Sequence, residues 1–387
     1  MIKEFFIDLY LLFFKAFFVL CKCFALQKKI VFVCSYPENI HCILEEMRRR
    51  QFSCTFVFLC RGRGATDHFV QLGEHVLPVE SANPFLLACA AYHLATAKLV
   101  VIDNYFAFLS VASFKKGVQC IQLWHACGAF KTFGLMDHSV KFRTNRARKR
   151  FIAVYRHFDK IVVGSDAMQT IFMHSFGLDE TRFVHLGIPR TDLFFDQKLQ
   201  KKISQKKQQL WNGKKVILYA PTFRDQPNDQ MGSGIDLKQM EDALSDEYVL
   251  ILRLHPADQR TLDKAVFNSN FVFDGSGWTD VNKLLLNVDL LITDYSSIPF
   301  EFALLKRPMI FFPYDLASYE KNRGLWGKYK EMVPGPVAVS TQEVIRCIED
   351  NQFDLNRIES FSNKWNCYST GQSSNRVADY LINVLNE

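Results

Sequence analysis

A mainly parallel α/β fold in two domains is what this sequence predicts, on three observations. From Lys29 onward, apolar runs of strand length alternate with helix-like stretches. A polar, lysine-rich stretch interrupts that rhythm once, near residues 191–213, after which it restarts. At about 100–200 residues per domain, 387 residues provide for two domains. Strand–helix alternation implies a parallel sheet wrapped by helices. Two Rossmann-like halves facing a cleft is the simplest such architecture, with ligands beyond the carboxyl ends of the strands.

Composition narrows the class. The net charge is 47 − 40 = +7, and 49% hydrophobic against 22% charged residues excludes wholesale disorder. Eighteen glycines, twelve prolines and the lack of repeats exclude collagen, coiled-coil and low-complexity classes. The eleven cysteines are dispersed, form no C-x-x-C pair and show no structural-zinc spacing. They read as small buried hydrophobes of a reducing compartment, without disulfides.

In chain order, residues 5–26 come first and are the most hydrophobic stretch, rich in Phe. Asp8, Lys15 and Lys22 recur every seven residues and so share one helical face. No uninterrupted apolar run there exceeds six residues, against the about 20 that a span needs. No small-residue cleavage site follows, which argues against export. The stretch reads as an amphipathic helix over residues 1–28, lying in a membrane interface with Lys15 and Lys22 toward anionic headgroups. The alternatives are a helix packed on its own domain and a shallow single-pass anchor.

Strands are expected at 30–34, 55–59, 99–102 and 120–123, with helices at 39–50 and Pro84–Thr96 between them. Residues 161–163 form a further strand, ending at Gly164-Ser165-Asp166, where Ser165 suits a helix N-cap. Residues 141–150 hold six cations in ten positions, among them Arg143, Arg146, Arg148, Lys149 and Arg150. Such a run is a solvated face, or it contacts anionic lipid or a lipid diphosphate. Nucleic acid is excluded as a partner, because no recognition module accompanies the patch. Residues 201–215 form a lysine-rich linker or helix. Further strands follow at Lys215–Ala220, 249–254, 288–293 and 309–312. The expected domains are 29–200 and 201–387.

Four strand ends carry polar residues. Residues 120–123 run into Trp124-His125, where a histidine beside a glycine turn could act as a base near neutral pH, or serve structurally. Strand Lys215–Ala220 leads into Pro221-Thr222-Phe223-Arg224, a phosphate contact or simply a helix start. Arg253 and His255, flanking Leu254, fall on one side of a strand end, as a phosphate clamp or an ordinary solvated exit. Residues 288–293 are followed by Asp294-Tyr295-Ser296-Ser297 and a helix over 298–305. Serines at a helix start cap it and could place free amides on a phosphate. Neither G-x-x-x-x-G-K-[ST] nor G-x-G-x-x-G occurs, so ATPase and NAD readings have no direct support.

Five ordered motifs, together with the segment 306–324, resemble the CDP-glycerol:poly(glycerophosphate) glycerophosphotransferase family of wall teichoic acid biosynthesis. They are the runs 124–131, 187–190, 220–224, 253–256 and 293–297, and the resemblance covers residues ~30 to ~375. It implies a GT-B-like fold whose C-terminal domain, 201–387, holds a CDP-polyol, with 29–200 on the acceptor side. It also implies transfer of a polyol phosphate to a hydroxyl of a lipid-linked acceptor, with release of CMP. By the same resemblance, His125, Ala126, Cys127, Gly128 and Ala129 line the donor phosphates, with His125 the general base. Arg190, Pro221, Thr222, Arg253, Leu254, His255, Ser296 and Ser297 complete the donor site, His255 acting with His125 in catalysis. Glu301 also belongs to the implied CDP-polyol site, its carboxylate for a hydroxyl contact, and stands where the family usually has Asp; Ala126-Cys127 stand where the glycerol polymerases commonly have Gly-Thr.

The implied partners are CDP-glycerol (or CDP-ribitol), a polyprenyl-diphosphate-linked acceptor and an anionic membrane surface. A homo-oligomer, or a complex with other teichoic acid enzymes, is compatible with this reading. No cofactor is expected, and no carboxylate cluster demands a metal. A first sheet strand near residue 30 resembles the compact primase of the family, which adds one glycerol phosphate to an N-acetylmannosaminyl-N-acetylglucosaminyl lipid. The alternatives are a teichoic acid or capsule polymerase and a ribitol-phosphate transferase. The expected location is peripheral, on the cytoplasmic face of the cell membrane.

Overall fold

The computed structural model describes residues 2–224, 234–254, 267, 270–278 and 280–387. It divides into two compact units. The first comprises residues 1–125, 133–192 and 368–387; the second comprises 126–132 and 193–367.

Unit 1 is built on a seven-stranded, wholly parallel sheet. Its strands are β1 (Gln27–Cys34), β2 (Thr55–Cys60), β3 (Val76–Pro78), β4 (Ala97–Ile102), β5 (Gln119–Gln122), β6 (Lys160–Val162) and β7 (Phe183–Val184). They lie in the order β3-β2-β1-β4-β5-β6-β7. The order reverses between β1 and β4, where loops diverge to opposite sides and leave a crevice for ligands. The β1 run is apolar because both faces of a parallel sheet are covered, and Ile30 through Cys34 are fully buried. Phe32 and Phe58 stack across β1 and β2, and Phe69 from a covering helix stacks on Phe58. Ser165 caps the helix Asp166–Phe176 as expected, its Oγ accepting from the Met168 amide.

Among its described residues unit 2 repeats the theme with five parallel strands. These are β8 (Lys215–Ala220), β9 (Tyr248–Leu252), β10 (Val272–Asp274), β11 (Leu290–Thr293) and β12 (Met309–Phe311). Their order is β10-β9-β8-β11-β12, so the reversal falls between β8 and β11. The lysine-rich segment is the helix Gln197–Leu210, none of whose residues is buried.

Three features depart from the sequence expectation. The last twenty residues belong with unit 1 rather than with 201–387, and the first unit ends at Asp192 rather than near 200. The cause is local. Asp192 caps the helix Ser373–Asn386 by accepting from the Ser373 and Ser374 amides at 2.9 and 2.7 Å. Gly187, at φ 78°, lies so near this segment that a Cβ would meet Ser373 Oγ at 2.3 Å and the Tyr368 carbonyl at 2.4 Å. Val377, Leu381 and Leu385 then join the core of β1 and β2.

Second, the N-terminal helix Ile2–Cys21 packs on its own unit. Leu11, Phe14 and Phe18 are buried, with Phe14 against Phe108 and Phe18 against Phe114. Burying each such side chain is worth about 1.5–3 kcal/mol. Asp8 pairs with Arg146 and Arg150, and Glu4 pairs with Arg150. Lys22 lies past the helix end and donates to Ser113 Oγ, while Lys15 is exposed. Among the described residues no helix is long and apolar enough to cross a membrane. Third, five of the cysteines are buried as expected of small hydrophobes, but Cys23 and Cys367 are exposed.

Candidate active site

In unit 1 the sequence places its polar residues at the carboxyl ends of β1, β4 and β5. Leaving β5, Trp124 takes a left-handed conformation, φ 59°, which costs about 1–3 kcal/mol and must be held by its surroundings. Its amide donates to Gln122 Oε1 at 2.8 Å, and its carbonyl accepts from Asn39 Nδ2 at 3.1 Å. The kink delivers His125, whose ring is sandwiched between Trp124 and Tyr36, at centroid distances of 4.4 and 4.6 Å.

His125 Nδ1 lies 2.9 Å from the Asp103 carbonyl. A carbonyl can only accept, so Nδ1 carries the proton and Nε2 keeps its lone pair. Burial pushes the imidazole pKa down to about 4, against the opposing pull of that carbonyl; the Arg190 charge lowers it further. The ring is therefore neutral at physiological pH, with a basic nitrogen held in one orientation.

Asp103 was not singled out from sequence, yet it organises this end of the sheet. Fully buried at the end of β4, it reaches across the β1/β4 reversal. Its Oδ2 accepts from the Ser35 and Tyr36 amides at 2.7 and 2.6 Å. Burial raises its pKa to about 7 against those two amides. Asn39, also overlooked, is a second brace: it holds Trp124 and, through Oδ1, accepts from the Arg190 amide at 3.0 Å. The structure thus brings two predicted residues, His125 and Arg190, together around Asn39. Asp103→Ala is expected to cost about 1–3 kcal/mol for each stranded amide. Asp103→Asn, which keeps a carbonyl oxygen, should recover most of that loss in denaturant unfolding.

The chain enters unit 2 immediately after His125. Residues 126–132 are fastened there by the Cys127 amide, which donates to Glu301 Oε1 at 3.3 Å, and by a Lys131–Leu325 bridge. Gly128 has no room for a side chain: a Cβ would fall 2.1 Å from the Phe300 ring. Ala126 and Cys127 are buried, and Ala129 is half-buried. Glu301 is itself buried, so its carboxylate holds this loop instead of standing open for a hydroxyl contact.

The carboxyl ends of β8 and β11 repeat the device of unit 1. Asp294 follows β11 as Asp103 follows β4, and it likewise reaches across the reversal in strand order. Its Oδ1 accepts from the Thr222 amide and hydroxyl at 2.8 and 2.6 Å, and its Oδ2 from Arg224 at 2.8 Å. The Thr222 hydroxyl proton is thus committed to Asp294, so an incoming phosphate would not receive it. Arg224 also grips Asp315 at 2.7 and 2.9 Å, and Tyr295 donates to the same carboxylate at 3.0 Å. Pro221 precedes this cluster and is buried.

Ser296 Oγ accepts from the Ile298 amide at 3.2 Å, whereas Ser297 makes no side-chain cap. The helix expected over 298–305 is α-helical only at Ile298–Phe302 and continues as a 3-10 turn, Ala303–Leu305. Arg253 is half-buried just beyond β9, its amide donating to the Tyr219 carbonyl at 2.9 Å, and Leu254 is buried. His255 lies outside the described residues. Of the basic segment, Arg150 is spent on Glu4 and Asp8, Arg146 pairs with Asp8, and Arg148 and Lys149 are exposed.

Comparison with known proteins adds to this geometry. The model of the CDP-glycerol:poly(glycerophosphate) glycerophosphotransferase family matches residues 15–383. The chain is 36% identical over 361 residues to the teichoic acid glycerol-phosphate primase of Bacillus subtilis (strain 168), covering 93% of each chain. It is also 36% identical, over 306 residues, to the teichoic acid ribitol-phosphate primase of Bacillus spizizenii, covering 77% of this chain and 78% of that one. Among solved structures, that of the wall teichoic acid polymerase TagF superposes with a TM-score of 0.79 at 24% identity. It covers all of this chain and 98% of its own.

Proposed function

The chain belongs to the CDP-glycerol:poly(glycerophosphate) glycerophosphotransferase family and is a CDP-glycerol glycerophosphotransferase; from that premise we propose that it acts as a primase. It adds glycerol phosphate to a hydroxyl of a lipid-linked teichoic acid precursor, the N-acetylmannosaminyl-N-acetylglucosaminyl-diphospho-polyprenol, and releases CMP. The observation that carries the chemistry is the fixed tautomer of His125, which leaves Nε2 as the one ring nitrogen able to take a proton.

The acceptor oxygen attacks the β-phosphorus of CDP-glycerol in line. A new O–P bond forms, the bond from that phosphorus to the bridging oxygen of CMP breaks, and the acceptor proton passes to His125 Nε2. Arg253, His255 and the amides beyond Ser296 and Ser297 take up the charge gathering on the diphosphate and departing CMP. Arg190, whose amide is anchored on Asn39, adds positive potential beside His125. Glu301 acts on this site by holding residues 126–129 rather than by touching substrate. Pro221 and Thr222 shape the donor site through their backbone, Thr222 being held by Asp294.

Primase action is favoured by the 93% mutual coverage with the B. subtilis primase. Equal identity to a ribitol-phosphate primase supports a second reading, with CDP-ribitol as donor. A peripheral position on the cytoplasmic face of the membrane accords with the apolar face that the N-terminal helix leaves uncovered, where Phe5 is 64% and Phe6 61% exposed. The exposed Arg148 and Lys149 would meet anionic headgroups.

CMP release from CDP-glycerol and CDP-ribitol, offered separately with a disaccharide-diphosphate-lipid acceptor, tests these readings together with product masses. One added glycerol phosphate is the expected product. A ladder of units would make the protein a polymerase, and ribitol incorporation would change its donor. Absence of CMP from either donor, with folded protein, would refute the transfer reaction.

A further inference from the structure

A cavity of about 1290 Å³ lies in unit 1, and neither His125, Asp103 nor Arg190 lines it. It exceeds the roughly 300–1,000 Å³ of ordinary small-molecule sites. The N-terminal helix gives it Phe6 and Tyr10, the end of β4 gives Tyr105, and the basic segment gives Phe142, Arg143 and Phe151.

The charges on this lining are unevenly matched. Glu4 is paired with Arg150 at 3.1 Å and Glu80 with Arg61 at 2.5 Å, so neither carboxylate confronts the cavity as a bare anion. Arg143 lies over the Phe151 ring at 4.3 Å and donates to Ser139 Oγ at 3.1 Å. Among the described residues it makes no ion pair. With Arg150 paired to Glu4, the cavity therefore offers apolar walls with one unpaired cation, Arg143, beside them. It also adjoins apolar surface: Phe6 and Phe142, both in its lining, are 61% and 89% exposed. A chain reaching it would cross a surface already suited to a bilayer.

We propose that this cavity binds the isoprenoid chain of a polyprenyl-phosphate-linked acceptor, with Arg143 meeting the first phosphate of the head. The proposal rests on the lipid-linked acceptor named above. An open, largely apolar cavity with one unpaired cation in its lining fits one apolar chain with one anionic head. Arg143 recognises phosphate through its planar fork of donors.

Geranylgeranyl phosphate is the probe, titrated against the full-length protein in the absence of any CDP-polyol. It should bind, and inorganic phosphate should not displace it. Ala107→Trp, which fills the interior, should weaken binding at least about tenfold, the equivalent of losing two buried methylenes. Ala82→Trp, at an exposed position on the rim, should weaken it in the same direction without straining the core. Arg143→Gln should weaken the phosphate ester but leave geranylgeraniol unchanged. Binding that neither tryptophan affects, or hexadecyl phosphate bound more tightly than the prenyl ester, would overturn the assignment. Because the probe is bound without turnover, saturable binding in a protein that releases no CMP would uphold the cavity while refuting the transfer reaction. CMP release without probe binding would do the reverse.

Discussion

Replacing His125 with alanine is expected to slow CMP release by about 10²–10⁴-fold while leaving the protein folded. The size follows from the loss of a positioned base, and the specificity from how the ring is held. Nδ1 is fixed on the Asp103 carbonyl, and both faces are covered by Trp124 and Tyr36. His125→Gln can preserve a contact to that carbonyl but offers no basic nitrogen, so it should be as slow as alanine. A glutamine variant of nearly full activity would remove His125 from the chemistry.

The pH profile gives a second readout. With a pKa of about 4, the His125 ring stays neutral as pH falls from 8 to near 5, so protonation of the base should not reduce kcat/KM over that range. Stability changes with pH for the same reason. The folded pKa lies below the unfolded value of about 6.5, so unfolded chains bind more protons between those values. Stability contributed by His125 is thus lost as pH falls from 6.5 toward 4, and His125→Gln should flatten that slope. Asp103 acts in the opposite sense. Its folded pKa of about 7 exceeds the unfolded value, so its contribution is lost as pH rises from near 4 through 7. Asp103→Asn should flatten that second slope in the same unfolding experiment.

What the sequence disclosed, and what it concealed, follows the same physical lines. Central strands such as β1 and β8 are covered on both faces, so they read as long apolar runs and were located to within a few residues. The strands that escaped notice were β3, β7 and β10, each two or three residues long and each at the edge of its sheet. β12 is as short and also at an edge, but its three residues are all buried and read as an apolar run, whereas β3, β7 and β10 are only partly buried and carry too little apolar signal. Away from the face of Asp8 and Lys15 the N-terminal helix is apolar, so nothing in its pattern says that Phe14 and Phe18 turn inward while Phe13 and Leu12 stay exposed. The return of residues 368–387 to unit 1 depends on Asp192 meeting the Ser373 and Ser374 amides far along the chain. His125 was legible because it is a polar residue directly after an apolar strand. Asp103 and Asp294 satisfy that same criterion. Nothing in the sequence marks their partners, because their work is to hold loop amides far along the chain.

Arg224→Ala is expected to produce the largest loss of stability, about 3–5 kcal/mol, because it strands buried charge. The Arg224 side chain is 9% exposed, Asp294 3% and Asp315 20%. Burial alone would lower the arginine pKa, but the two carboxylates outweigh it and hold the group firmly charged. The guanidinium also sits over the Tyr295, Tyr314 and Tyr319 rings at 5.1 to 5.3 Å, and Tyr295 stacks on Tyr319 at 3.6 Å. Each guanidinium nitrogen has an acceptor here, and such a network fails as a unit once its central cation is removed. At about 2–4 °C per kcal/mol for a domain of this size, unit 2 should melt roughly 6–20 °C lower. Arg224→Lys keeps the charge but not the fork that spans both carboxylates, so it should fall between wild type and alanine. The damage should extend to the donor site, since Asp294 holds Thr222 through the same carboxylate that Arg224 neutralises. KM for CDP-glycerol is therefore expected to rise in Arg224→Lys at temperatures where the protein remains folded. An alanine variant that melts within about 2 °C of wild type would show that solvent or a rearranged side chain can replace the arginine, and the cluster would lose its standing as the anchor of that loop.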